Sequence, residues 1–151
     1  LCFEAVGLGS VKHETGATAL SEETPQGELT LRTMAMPADT NASGDIFGGW
    51  VLSQMDLAGG IAAGQRAQGR VVTIAVDKMK FIRPVHVGDV LCVYTSVGRV
   101  GTSSMEIKLE AWALRHRFGG REKVTEAIFT MVAVDDQGKP RPVPKDTPAP
   151  Q

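Results

Sequence analysis

Gly48-Gly-Trp-Val-Leu-Ser-Gln-Met-Asp-Leu-Ala-Gly-Gly-Ile-Ala-Ala-Gly-Gln-Arg-Ala67 is the one long apolar helix candidate in the sequence. Val51, Met55, Ala58 and Ala62 recur at helical spacing, and Leu52, Ile61 and Ala63 widen the apolar surface nearly all round. Strong polarity is confined to Gln54, Asp56, Gln65 and Arg66. A helix apolar on most faces is expected to be buried. Gly59, Gly60 and Gly64 each lower helix propensity by roughly 1 kcal/mol against Ala. Close packing against a sheet is the expected compensation, and Gly69 is expected to end the helix.

Upstream, Glu28–Met36 alternates at strand period: Leu29, Leu31, Thr33 and Ala35 point one way, Glu28, Thr30, Arg32 and Met34 the other. Pro37 ends it, and Asp39 with Asn41 supply turn chemistry. Downstream, Val71–Phe81, Val90–Val97, Ser103–Arg115 and Lys123–Val134 read as strands. Bends are expected at Val87–Asp89 and Gly98–Gly101, and a hairpin tip at Phe118–Arg121. The order is strand, long buried helix, then about four long strands. Such an α+β order, a long antiparallel sheet wrapped round one helix, describes a hotdog fold. A single sheet of this kind leaves an outer face and edges open, so dimerisation is expected.

At 151 residues, 42% hydrophobic and 22% charged, the chain suits one globular domain with a real core. Residues 1–27 read as a flexible arm, 28–139 as the domain, and 140–151, rich in proline, as an extended tail. Because the sequence opens at Leu1 with no Met, it is expected to be a fragment or to carry foreign residues in the arm. A net charge of -1 gives no electrostatic case for nucleic acid. No apolar run approaches the roughly 20 residues of a membrane span, so no membrane partner is expected. Cys2 and Cys92 are too few for a disulfide framework or a zinc site, which leans towards a reducing, cytoplasmic setting.

Chemistry concentrates where strand meets helix, in Thr40-Asn-Ala-Ser-Gly-Asp-Ile-Phe-Gly-Gly-Trp50. Asp45 there reads two ways. It is an N-cap holding the first turn, or a base or nucleophile beside unpaired helix N–H groups that form an oxyanion hole. Gly48 and Gly49 would supply those N–H groups, or serve tight helix–sheet packing. Asn41 would orient water or make an Asx turn. Asp56, a charge inside an apolar helix, is the second carboxylate candidate; pairing with a cation or a neighbouring subunit is its other reading. Ser43 sits in no nucleophile-elbow pattern, and no His lies nearby in sequence, so a serine triad is not expected. Met55, Met79 and Phe81 read as core, with an acyl tunnel lining as the alternative.

Several stretches agree with one family. Met36-Pro37, Asp39-Thr40-Asn41, Gly44-Asp45-Ile46-Phe47-Gly48-Gly49-Trp50, Gln54-Met55-Asp56 and Ala58-Gly59-Gly60 closely resemble the YciA-like acyl-CoA thioesterases of the hotdog superfamily. Val76-Asp77-Lys78-Met79, Phe81, Pro84-Val85, Val87-Gly88-Asp89 and the bend Val97–Ser104 are similar to that family too, so the match runs from about Leu29 to Asp136. The resemblance implies hydrolysis of acyl-coenzyme A with no metal and no cofactor, coenzyme A being part of the substrate. It implies dimers that assemble into hexamers, with active sites between subunits. It puts catalysis on Asp45. A non-catalytic hotdog module that binds acyl-CoA as a sensor or assembly part is the alternative. Coenzyme A brings phosphates, so cations are needed near the pocket mouth. Arg99 in the glycine-bearing bend is the first candidate, with Gly101, Thr102 and Ser103 meeting the pantetheine amides. A second basic cluster, Arg115, Arg117, Arg121 and Lys123, is explained by an exposed hairpin tip without any ligand.

Overall fold

A computed structural model describes residues 23–115 and 120–145. The elements in chain order are β1 (Glu28–Met34), a short 3-10 turn (Pro37–Asp39), α1 (Gly48–Ala67), β2 (Val71–Phe81), β3 (Val90–Val100), β4 (Ser104–Leu114) and β5 (Arg121–Ala133). The strands form one antiparallel sheet in the order β1-β3-β4-β5-β2, so β1 and β2 are its edges. This is the expected α+β hotdog arrangement, one helix against a five-stranded sheet.

Alternation divides the sheet into two faces. Leu31, Val93 and Ala111 lie opposite one another across β1, β3 and β4, and they join Met55, Ala58 and Ala63 of α1 in the core. The next row, Arg32, Cys92, Trp112 and Lys123, lies on the other face. The helix approaches the sheet closely because Gly59 has no side chain. A Cβ there would stand 2.8 Å from Met131 Cε and 3.6 Å from a Leu109 methyl. Gly60, one residue on, would meet nothing within 4 Å.

Three expectations need correction. The helix is not buried all round: Val51, Met55, Ala58, Gly59, Ala63 and Ala67 face the sheet, while Leu57 and Ile61 are 57% and 45% exposed. Its end is made by Gln68, which takes the left-handed conformation (φ 54°), rather than by Gly69, whose N–H bonds back to Gly64 O at 3.1 Å. β3 runs on to Val100 through an irregularity after Val97, so the bend is Gly101–Ser103 alone. The proline-rich end is docked as far as it is described. Val143 is buried with its N–H on Thr102 O, and Arg141 reaches from Ala133 O to Ala67 O, the last carbonyl of α1.

At the other end, Gly27 (φ 96°) lets the chain pass against the Thr95 carbonyl, where a Cβ would come within 2.3 Å of the oxygen. Glu23 and Gln26 are tied to Lys123 and Glu110. Residues 1–22, 116–119 and 146–151 lie outside the described part, and with them most of the expected arm, His116, Arg117 and the end of the tail. Among the described residues no helix is long and apolar enough to cross a membrane, and no three His, Cys, Asp or Glu side chains gather as for a metal ion.

Candidate active site

The loop from Thr40 to Phe47 is closed by backbone pairing. Thr40 and Ile46 form an isolated bridge, Asn41 N donates to Asp45 O at 2.8 Å, and Phe47 N donates to Asp39 O at 3.1 Å. Ile46 anchors the loop in the core. Gly44 takes a left-handed turn (φ 85°), which L side chains adopt only with strain. Inside the loop Asn41 makes an Asx turn. Its Oδ1 accepts from Ser43 N at 2.9 Å and Asp45 N at 3.0 Å. These bonds fix which end of the amide is oxygen, and Nδ2 has no partner among the described residues.

The helix then begins without a side-chain cap. Phe47 occupies the N-cap position and its side chain offers no acceptor, so Asp45 is not the cap. Trp50 N and Val51 N turn back to Phe47 O, while the N–H groups of Gly48 and Gly49 belong to the unpaired first turn. They carry the positive end of the helix dipole. Asp45 is exposed, three residues before Gly48.

Asp56 lies eight residues into α1, about 12 Å along the axis from Gly48 at 1.5 Å per residue. It is exposed rather than buried, and its Oδ1 accepts from the Thr73 hydroxyl of β2 at 2.6 Å. Sequence reading gave no hint of Thr73; only the pairing of helix and edge strand in space brings the two together. Met55 is core as expected, Met79 is half-buried, and Phe81 is not core: it is 46% exposed at the end of β2.

Arg99 sits elsewhere. Its side chain is 83% exposed and reaches Glu106 Oε1 at 3.4 Å. The bend Gly101–Ser103 beside it is tied to the far end of the helix. Ser103 O accepts from Ala133 N, Thr102 O from Val143 N, and the same terminal stretch caps Ala67. Gly48, by contrast, lies by Phe81, at the opposite end of β2. The two ends of a 20-residue helix are about 30 Å apart. Within one chain, therefore, the structure brings Asn41, Asp45, Gly48 and Gly49 together but leaves Arg99, Gly101, Thr102 and Ser103 far from them.

The second basic cluster holds itself. Arg115 bonds Asp89, Glu122 and the Pro84 carbonyl, and Arg121 lies over the Trp112 ring with 6.0 Å to its centroid. Lys123 pairs with Glu23, Glu110 and Glu126. Burial pushes the Lys123 amine down, but its hydrogen bonds to Glu126 and Glu110 outweigh burial and hold it well above the usual lysine range. Burial likewise raises the Glu110 carboxyl, and bonds from Trp112, Gln26 and Lys123 bring it below its ordinary value. A groove of about 670 Å³ on this outer face is lined by Arg32, Tyr94, Trp112, Arg121 and Lys123 among others, and away from the start of α1.

The thioesterase superfamily pattern matches residues 43–118. The acyl-CoA thioester hydrolase YciA of Salmonella typhimurium is 57% identical over 126 residues, which cover 82% of this chain and 95% of the relative. A hexameric thioesterase from Yersinia pestis is 58% identical in its crystal structure, with a TM-score of 0.78 over 82% of this chain and all of that one. An acyl-CoA hydrolase from Staphylococcus aureus, solved with butyryl coenzyme A and coenzyme A, is 32% identical, with a TM-score of 0.70 over 76% of this chain and 70% of that one. That staphylococcal enzyme has also been solved with an aspartate changed to alanine and with an asparagine changed to alanine.

Proposed function

The chain belongs to the thioesterase superfamily, as an acyl-CoA thioester hydrolase of the YciA kind, and from that membership we propose how its residues divide the reaction. The hydrolase standing of such close relatives sets aside the non-catalytic module considered from sequence. In our reading the thioester carbonyl lies at the start of α1, its oxygen facing the N–H groups of Gly48 and Gly49. The observation that carries this is the uncapped helix start: two donors on a rigid element, with no side-chain acceptor of the chain's own. Water adds to the carbonyl carbon as a carboxylate takes its proton. The tetrahedral intermediate then collapses, the C–S bond breaks, and the coenzyme A thiolate leaves to be protonated.

Two carboxylates compete for the proton. Asp45 is the nearer in its own chain and is the one expected from sequence. Asp56 is favoured by a specific observation. The two residues substituted in the staphylococcal structures are an asparagine and an aspartate fifteen positions apart. Asn41 is this chain's only asparagine, and Asp56 stands fifteen positions after it. We therefore assign the base or nucleophile to Asp56, presented to the helix start of a facing copy, with Asn41 Nδ2 as a further donor and Asp45 as the alternative. Exposed apolar side chains on both elements, Leu57 and Ile61 of α1 and Ile74 and Val76 of β2, support that second copy. A dimer, and a hexamer as in the Yersinia relative, follow from this reading. Arg99, Gly101, Thr102 and Ser103 of a neighbouring copy would then hold the phosphates and amides of coenzyme A. A cytoplasmic place fits the substrate and the two cysteines.

Thiol release from acyl-CoA tests the assignment on Asp45→Asn and Asp56→Asn, each checked for intact assembly. Asp56→Asn should lower kcat about a hundredfold or more, the scale of a lost general base, and Asp45→Asn less than about tenfold. The reverse pattern returns the role to Asp45. Full kcat in both removes carboxylate catalysis from this loop and helix.

A further inference from the structure

Phe81 ends β2 with its ring aimed at the first residue of α1. A Cβ on Gly48 would stand 3.2 Å from the ring's Cζ and 3.6 and 3.7 Å from Cε1 and Cε2, so the ring meets the helix tip first. Gly48 is helical and needs no left-handed backbone. A side chain at this position would therefore crowd the ring by a few tenths of an ångström, whereas the chain's path makes no demand for glycine. Gly49 is different: a Cβ there would meet nothing within 4 Å. The side of Gly48 where a side chain would stand thus faces an aromatic ring, and that of Gly49 faces open space. The ring's backbone is pinned on both sides. Thr125 Oγ1 donates to Lys80 O at 2.7 Å, and Ile82 N donates to Val124 O at 2.7 Å. The ring is left 46% exposed at this spot, on fixed backbone, and so presents an apolar surface beside the helix start.

We propose that Phe81 is a specificity-determining wall of the acyl pocket, standing against the carbon next to the thioester carbonyl and disfavouring acyl groups branched there. The inference rests on the placement of the carbonyl oxygen at Gly48 and Gly49. With the oxygen so held, the carbonyl's other two substituents, sulfur and the first acyl carbon, point to the flanks. The sulfur side leads to pantetheine amides and phosphates, which need polar partners. The ring offers none, so the hydrocarbon side is the one it suits. A wall on pinned backbone does not yield to a methyl branch as a mobile side chain would.

The test compares kcat/KM for butyryl-CoA and isobutyryl-CoA in the parent, Phe81→Leu and Phe81→Ala proteins. The parent should prefer the straight chain. The butyryl-to-isobutyryl ratio should fall by about tenfold or more in Phe81→Ala, within the range one methyl group commands in an apolar pocket, and by less in Phe81→Leu. A merely structural ring would lower both rates together, so an unchanged ratio in folded variants, or loss of assembly with the ratio kept in the remaining oligomer, overturns the proposal. Should Phe81→Ala not fold, Phe81→Leu decides by the same ratio. Failure here differs from failure of the site reading. An unchanged ratio with Asp56→Asn or Asp45→Asn inactive removes only Phe81, whereas activity in both carboxylate variants removes the site.

Discussion

Asn41 shows how one side chain holds two tasks apart by its two ends. Its amide oxygen accepts two backbone N–H groups and so sets the path of the loop, while its NH₂ group is left to donate outward. Sequence left water orientation and an Asx turn as alternatives, and the structure shows the turn without removing the donor. Two substitutions separate the tasks. Asn41→Asp keeps an oxygen for the turn and loses the donor; Asn41→Ala loses both. Asn41→Ala should lower stability by about 1–2 kcal/mol, because two N–H groups lose their acceptor. Asn41→Asp should unfold near the parent temperature yet lose about tenfold or more in kcat, as expected for a lost donor to developing charge. Parental kcat in Asn41→Asp would confine the residue to the turn. The N-cap reading of Asp45 failed for a reason no residue pattern contains. Loop closure between Thr40 and Ile46 puts Phe47, two residues after Asp45, at the start of the helix.

Both ends of α1 and of β2 were legible because apolar periodicity starts and stops there, but the faces of each element were less so. The periodicity of α1 is apolar nearly all round, and sequence cannot tell a side that meets the chain's own sheet from one left for another copy. Of its inner glycines only Gly59 lies against the sheet; Gly60 and Gly64 do not have that role here. β2 holds a feature no alternation shows. Register breaks between Asp77 and Lys80, and Lys78 takes φ 54°, a left-handed conformation unusual for a lysine. That conformation costs an L residue roughly 1–2 kcal/mol, and glycine would relieve it at some cost in chain entropy. Lys78→Gly should therefore stabilise the folded protein by up to about 1 kcal/mol, or roughly 2–4 °C in Tm for a chain of this size. A lower Tm would show that the lysine side chain makes a compensating contact across the open edge of the sheet.

At the scale of the molecule, the order of elements and the motif blocks made the fold and the hydrolase readable. Residue pattern did not show what the family resemblance implied, that one chain does not bring the candidate site residues together. Arg99 and its bend lie at one end of α1, Gly48 and Gly49 at the other, about 30 Å away. If both serve one acyl-CoA, they come from different copies. The consequence is measurable by mixing defects. Asn41→Asp has an intact phosphate grip and lacks the donor beside Gly48 and Gly49; Arg99→Ala has that donor and a weakened grip, with a raised KM for acyl-CoA. Co-expressed with separate tags and purified as mixed oligomers, the two can supply a site with the Asn41 donor from one copy and an arginine from another. Random assembly then leaves about a quarter of sites with both functional groups, where neither parent variant has any. At acyl-CoA concentrations well below the raised KM, the mixture should turn over faster than the average of the two single-variant oligomers, towards a quarter of the parent rate. A substrate cut to acyl-pantetheine lacks the nucleotide phosphates, and for it the mixture should show no such gain, because Arg99→Ala alone already handles it. Activity at or below the average for both substrates would mean that the Asn41 end and the arginine of one site belong to one copy, or that Arg99, with its Glu106 partner, never meets the phosphates.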